Sequence, residues 1–438
     1  MAEKAKRQPF PRGFWVIWTT VAIDLIGFGI VLPILPQYAE RFGAGAAVIG
    51  VLSASFSMAQ LVFAPIWGKL SDRIGRKPII IISLCGTALG SLVTGFAGVL
   101  WLLFLGRIID GISGASVSVA QASVADIAPA GQRARYMGLI GAAFGVGFVA
   151  GPAIGALAAL AGPKVPFFVA AAIAAINALI ALKRLPETAH GVKGHPLARP
   201  DVVAAREAEF AAAITDAENI AAQPALDGPG IVEPAHGVLH HPPAEHTPAS
   251  RRPEIIRLIV VAFVGVVAFS GFEATFSLLA NNRYGLGLSA TAAVFAGIGV
   301  VLVGVQGGLV GPITHRLGES GTLRFGLIAN CIGLAVLAFD LGWVGLVAAL
   351  LLLTIGQGLL TPTLSSAVAG RAGLDTGVWL GWQQSAGGAA RVVGPLAAGA
   401  LFQWAGMGWP YAIGAALAAL ALTLLPRRPE SALGVTAG

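Results

Sequence analysis

Gly68-Lys69-Leu70-Ser71-Asp72-Arg73-Ile74-Gly75-Arg76-Lys77-Pro78 is a short, strongly basic stretch with one acid in its midst. It joins two apolar runs, 46–67 and 79–97, each long enough for a helix to cross about 30 Å of hydrocarbon. Outward from it lie further apolar runs at 14–36, 99–125, 136–161 and 164–183. After a polar stretch come 255–280, 289–313, 322–340, 342–368, 376–402 and 408–425. The pattern predicts an all-α polytopic membrane protein of twelve transmembrane helices. Composition agrees, because only 11% of residues are charged, against roughly 25% in soluble domains. The 59 glycines suit helices that approach one another closely in lipid.

Charge placement gives orientation. Lys69, Arg73, Arg76, Lys77, Lys183, Arg184, Arg316, Arg324 and Arg371 fall on the side of the N-terminus, with only Arg41, Lys164 and Arg283 opposite. By the positive-inside rule both termini are cytoplasmic, in a bacterial cytoplasmic (inner) membrane. The first apolar run outlasts the roughly 7–15 residues of a signal-peptide core, so it reads as a retained span. The net charge of +7 sits in short loops with no basic stripe interleaved with aromatics, so nucleic acid is not an expected partner. Cys85 and Cys331 both lie in apolar runs and read as packing residues, not a disulfide framework. Six of seven histidines crowd between the halves with irregular spacing and no nearby cysteine, so no metal site is expected. The spans hold no histidine and no nucleophile constellation, which argues against an enzyme.

An internal repeat runs at an offset of 243 residues. Gly68, Arg73 and Gly75 recur as Gly311, Arg316 and Gly318, Gly138 and Gly145 as Gly381 and Gly388, and Gly151-Pro152 as Gly394-Pro395. The predicted organisation is therefore a six-helix bundle in 1–186, a cytoplasmic loop in 187–254 and a second six-helix bundle in 255–438. Within the loop, helix formers between Pro200 and Pro224 predict a solvated helix over Asp201–Gln223. Two related halves imply alternating access, with a site near the midplane between them.

Charges inside spans are costly and mark function by default. Asp24 lies about ten residues into the first span, where Gly27, Gly29, Pro33 and Pro36 would let the helix bend around a cavity. Arg107 and Asp110 stand three apart in the fourth span, hence on one helical face. Glu273 lies in span seven and Arg391 near the middle of span eleven. Asp126, at the end of span four, suits an ion pair with the basic loops. Gln60, Gln121, Gln306, Gln357, Gln383 and Gln384 are candidates to line a cavity, with interhelical hydrogen bonding as their simpler role. No nucleotide-binding loop is present, so ATP is not the expected energy source and no cofactor is expected.

The stretch 68–78 resembles the signature loop of the major facilitator superfamily, with Gly68, Arg73 and Gly75 framing it. In that family the aspartate and second arginine, here Asp72 and Arg76, form a latch with a helix dipole that releases as the cytoplasmic side opens. The second copy, 311–318, lacks the acid, so a strong latch is expected on one side only. Gly147, Gly151, Pro152 and Gly155 resemble the motif of antiporters in this superfamily, which seals the outer side of the cavity. The stretches Ile23–Tyr38, Gly68–Pro78, Gly106–Ala115 and Val124–Gly155 together look like tetracycline-type drug:proton antiporters. Asp24 matches their first-span acid, whereas their acids in spans three and nine have no counterpart. Asp110 replaces the glutamine usual in the family. The resemblance implies a monomeric transporter exporting a small amphipathic drug-like molecule, tetracycline-like or multidrug, with Asp24, Arg107, Asp110 and Glu273 coupling the proton. Proton-coupled uptake or facilitated diffusion of a nutrient is the alternative.

Overall fold

In a computed structural model of the chain, residues 10–114, 116–128, 133–188, 251–372 and 376–425 are described. The predicted helix over Asp201–Gln223 lies outside them. The described residues contain helices and no strand.

Span one is two helices. α1 (Arg12–Val31) stops where Pro33, which has no N–H for the ladder, interrupts it, and α2 (Leu35–Glu40) resumes beyond. α3 (Ala46–Ile74) has 29 residues, about 44 Å at 1.5 Å per residue, so its end carries Lys69, Asp72 and Arg73 clear of the hydrocarbon. It ends at Gly75, whose φ of 108° an L side chain rarely adopts, and α4 (Arg76–Phe96) starts at once. α5 (Leu100–Ser113) and α6 (Ser116–Ile127) form span four, followed by α7 (Arg133–Leu160) and α8 (Val165–Arg184). The second half contains α9 (Arg252–Tyr284), α10 (Leu288–Gly304), a π-helical turn at Val305–Leu309 and α11 (Val310–Ala338). It closes with α12 (Gly342–Ala372), α13 (Thr376–Trp404) and α14 (Trp409–Leu424).

Nine helical stretches among the described residues are long and apolar enough to cross a membrane. One of them, Leu288–Ala338, turns at Gly318, where φ is 69° and ψ 172°, and therefore makes two spans. α13 is diluted by Gln383, Gln384 and Arg391, and α14 has only 16 residues. With these the twelve predicted spans are all accounted for. Gly318 stands 243 residues after Gly75, so the repeat is present in the backbone turn as well as in the letters.

Glycine decides how the helices cross. A Cβ on Gly29 of α1 would lie 2.6 Å from the Gly147 carbonyl oxygen of α7. Gly394 of α13 makes the corresponding approach to Val267 and Gly271 of α9. Between the halves, Gly50 of α3 meets Gly399 of α13, and Gly299 of α10 meets Phe148 and Val149 of α7.

The apolar cores reveal the conformation. Near the face carrying the 68–78 turn, one core packs Phe14, Ile17, Leu84 and Tyr136, and another packs Ile255, Leu327, Leu364 and Leu425, each within its own half. Near the opposite face a single core joins Ile30, Ile34, Tyr38 and Leu52 to Leu278 and Ala292 of the second half. Gln37 Nε2 reinforces that closure, donating to Ser277 O, Leu286 O and Thr291 Oγ1 at 2.9–3.0 Å. Ser277 Oγ donates to Pro33 O at 2.7 Å, and Ala47 N to Gln403 Oε1 at 2.9 Å. Among the described residues, the opposite face is shut and the loop face parted.

Candidate functional site

The predicted pair on α5 is formed. Arg107 Nη1 donates to Asp110 Oδ2 at 2.9 Å, with the two residues only 5% and 9% exposed. The guanidinium carbon lies 4.3 Å from the centroid of the Phe56 ring, an α3 side chain that spreads the arginine's charge over an aromatic face. Thr87 of α4 hydrogen-bonds Asp110. The Arg107 Nε is buried with no hydrogen-bond partner among the described residues. On α1, Asp24 accepts a hydrogen bond from the Ser116 hydroxyl of α6 and lies within electrostatic range of Asp110. The fold thus gathers Asp24, Arg107 and Asp110 from two spans into one charged cluster. Phe56, Thr87 and Ser116, which complete it, carry no signal in the sequence, because apolar spans are full of such residues.

At the loop face, Arg76 Nη1 pairs with Asp72 Oδ1 at 2.6 Å, and Nε with Asp126 Oδ2 at 3.2 Å. The ion pair expected of Asp126 is present. Glu187 adds what sequence reasoning missed. Its carboxylate accepts from the backbone N–H of Arg76 at 2.8 Å and of Lys77 at 3.2 Å, capping the first turn of α4 from the far end of the bundle. The second half has an ion-pair cluster of its own, outside the 311–318 copy. In the second half Arg371 pairs with Glu319 at 2.5 Å and with Glu254 at 3.3 Å. Glu319 stands 243 residues after Arg76, so the acid sits where the first half has its base.

Asp72 is 63% exposed on its side chain, and an exposed pair of this kind is worth roughly 0–1 kcal/mol. Asp72→Asn should therefore leave folding and substrate affinity within about twofold while slowing turnover several-fold. Normal turnover with collapsed affinity, measured by equilibrium binding beside transport, would disprove the latch.

Gly147, Gly151 and Gly155 form the face of α7 that meets Leu25, Gly29 and Ile30 of α1, with Pro152 inside the helix. Gln60 Nε2 donates to Gly114 O at 2.8 Å, joining α3 to the α5–α6 break. Gln357 accepts from Asn330 Nδ2 and donates to Thr361 Oγ1, and Gln383 donates to Ser365 Oγ. Gln121 is half-buried on α6. Gln306 is exposed in the π-helical turn, and Gln384 is exposed on α13. Glu273 and Arg391 lie within electrostatic range of each other in the second half, apart from the Asp24 cluster in chain and helix.

The halves face one another and share a repeated glycine turn, with a buried charged cluster on spans one and four. The Major Facilitator Superfamily model matches residues 17–373. The chain belongs to the major facilitator superfamily. It is a multi-pass membrane transporter, not an enzyme. Among its relatives is the class G tetracycline resistance protein of Vibrio anguillarum, 30% identical over 93% of this chain and 95% of that one. Multidrug resistance protein 2 of Bacillus subtilis (strain 168) is 26% identical over 89% and 88%. The crystal structure of the human organic anion transporter MFSD10 superposes with a TM-score of 0.65 at 26% identity, covering 96% of this chain and 100% of that one.

Proposed function

We propose that this major facilitator exports a small amphipathic, drug-like molecule from the cytoplasm in exchange for protons. The Arg107–Asp110 pair, buried beside Asp24, carries the reading. A buried ion pair has a large desolvation cost, and in a span it is retained for function. Arg107 keeps its proton under working conditions, so it holds Asp110 and Asp24 as the groups that exchange one. A proton entering from outside neutralises this cluster and releases substrate. The protonated cluster then returns to the cytoplasmic side, gives up its proton there and is charged again for the next substrate. One charge moving across about 100 mV supplies about 2.3 kcal/mol, enough for a roughly 50-fold gradient.

The loop face is cytoplasmic in this reading, both termini lie there, and the protein works as a monomer in the cytoplasmic membrane. Relatives named for tetracycline resistance, multidrug resistance and organic anion transport support an amphipathic substrate. The test is accumulation of tetracycline and of an amphipathic dye by inside-out vesicles under an imposed inward-acid gradient. Gradient-driven accumulation that collapses with a protonophore supports export. Equilibration that ignores the gradient would replace it with facilitated passage.

Residues 190–249 contain no span and no candidate site residue. Deleting them should leave at least half the vesicle transport rate. An inserted but inactive deletion variant would make that segment part of the mechanism.

A further inference from the structure

Arg391 is a charge inside a span of the second half. It lies fifteen residues into α13, near mid-span, and it is exposed. Its neighbours along the helix show where it points. Gly388 and Pro395 pack on Leu61 and Gly50 of α3, in the first half. Gly394 and Ala398 pack on Val267, Ser270 and Gly271 of α9, in the second. Residue 391 falls between these two faces, three or four places from each, so its side chain enters the wedge between α3 and α9. That wedge is interior to the molecule, yet Arg391 is exposed, so the space there is open. No hydrogen bond or ion pair within 4 Å engages its guanidinium among the described residues. Glu273 is near enough to act on its charge without closing a pair.

On the facing side, Gly50, Ala54, Met58 and Leu61 share one stripe of α3, at helical spacings of four, four and three. Gly50 and Ala54 are buried, whereas Met58 is 50% and Leu61 38% exposed. Where the helices part, the wedge therefore presents a flexible thioether and a leucine opposite an unpaired guanidinium. A fixed cation with five donors and an adaptable apolar wall opposite it suit one ligand chemistry.

We propose that Arg391 is an anion-binding subsite, holding the carboxylate or other acidic group of an amphipathic substrate whose apolar body lies on Met58 and Leu61. Glu273 occupies the guanidinium's field when no substrate is bound and competes with the incoming anion. The proposal rests on the transport reading only in taking the wedge as the substrate's path, and it is tested by binding alone.

The probes are dansylglycine, an amphipathic carboxylate, and dansylglycinamide, its neutral counterpart, bound to purified full-length protein in nanodiscs and read by tryptophan-to-dansyl energy transfer. The carboxylate should bind at least tenfold tighter than the amide. Arg391→Gln should reduce that preference to within twofold, Arg391→Lys should keep part of it, and Glu273→Gln should tighten the carboxylate several-fold. Helicity by circular dichroism verifies that each variant is folded. Equal binding of the two probes by the unaltered protein, or a preference that survives Arg391→Gln, overturns the site. A carboxylate preference in a protein that shows no gradient-driven export supports the subsite while refuting the export reading.

Discussion

Arg107→Ala should abolish transport in both modes, gradient-driven accumulation and exchange down the substrate's own gradient. Breaking a buried pair by removing one partner costs about 3–5 kcal/mol, which corresponds to more than a hundredfold in an equilibrium. Here the substitution strips Asp110 of its 2.9 Å partner and leaves the Phe56 ring without its cation. Asp24→Asn and Asp110→Asn act differently, because each keeps the shape of the carboxylate and one of its two acceptor oxygens. Each should lower accumulation under a pH gradient about tenfold or more while sparing much of the exchange. The two acids are within electrostatic range of each other, so the double variant should lose coupling fully. Reconstituted vesicles with and without an imposed gradient give the readout. Full accumulation by the double variant would transfer proton carriage to Glu273.

The second large effect is expected at Gly50. A Cβ there would press on the backbone oxygen of Pro395 and come within 3.2 Å of the Gly399 Cα, in the contact that shuts the opposite face. Overpacking typically costs about 1–3 kcal/mol, and in Gly50→Val that cost falls on the closed arrangement alone. The population should shift roughly 5- to 150-fold toward molecules open at that face, and transport should fall with it. Ser277 is fully buried there, so a Ser277→Cys reporter should resist an impermeant maleimide in the parent and react in the Gly50→Val background. Gly297, with nothing within 4 Å of its would-be Cβ, supplies the neutral comparison as Gly297→Ala. Unchanged labelling together with normal transport would remove Gly50 from the gate.

Spans and turns were legible because each depends on local chemistry. The break in span one follows from Pro33, and the two loop-face turns follow from Gly75 and Gly318. The Arg107–Asp110 pair was equally legible, since three-residue spacing places both on one helical face. What the letters could not convey was pairing across distance. Ser116 reaches Asp24 across 92 positions, and Glu187 caps a turn 111 positions earlier. Neither residue is unusual where it stands. The second ion-pair cluster escaped for another reason: a repeat compared by identity does not reveal a position where the sign of the charge has been reversed.

That reversal bears on how the chain is assembled. Arg76 with Asp126 in one half answers Glu319 with Arg371 in the other, Arg371 standing two places beyond the counterpart of Asp126. The N-terminal bundle is synthesised first and waits in the membrane beside its emerging twin. Were the two clusters alike in sign, the base of either half could bind the acid of the other in matching positions. With the signs exchanged, a helix of one bundle that strays into the equivalent place in the other brings base to base and acid to acid. Like-charge juxtaposition of this kind rejects the wrong partner. The exchanged signs thus disfavour pairing between the cluster of one half and that of the other.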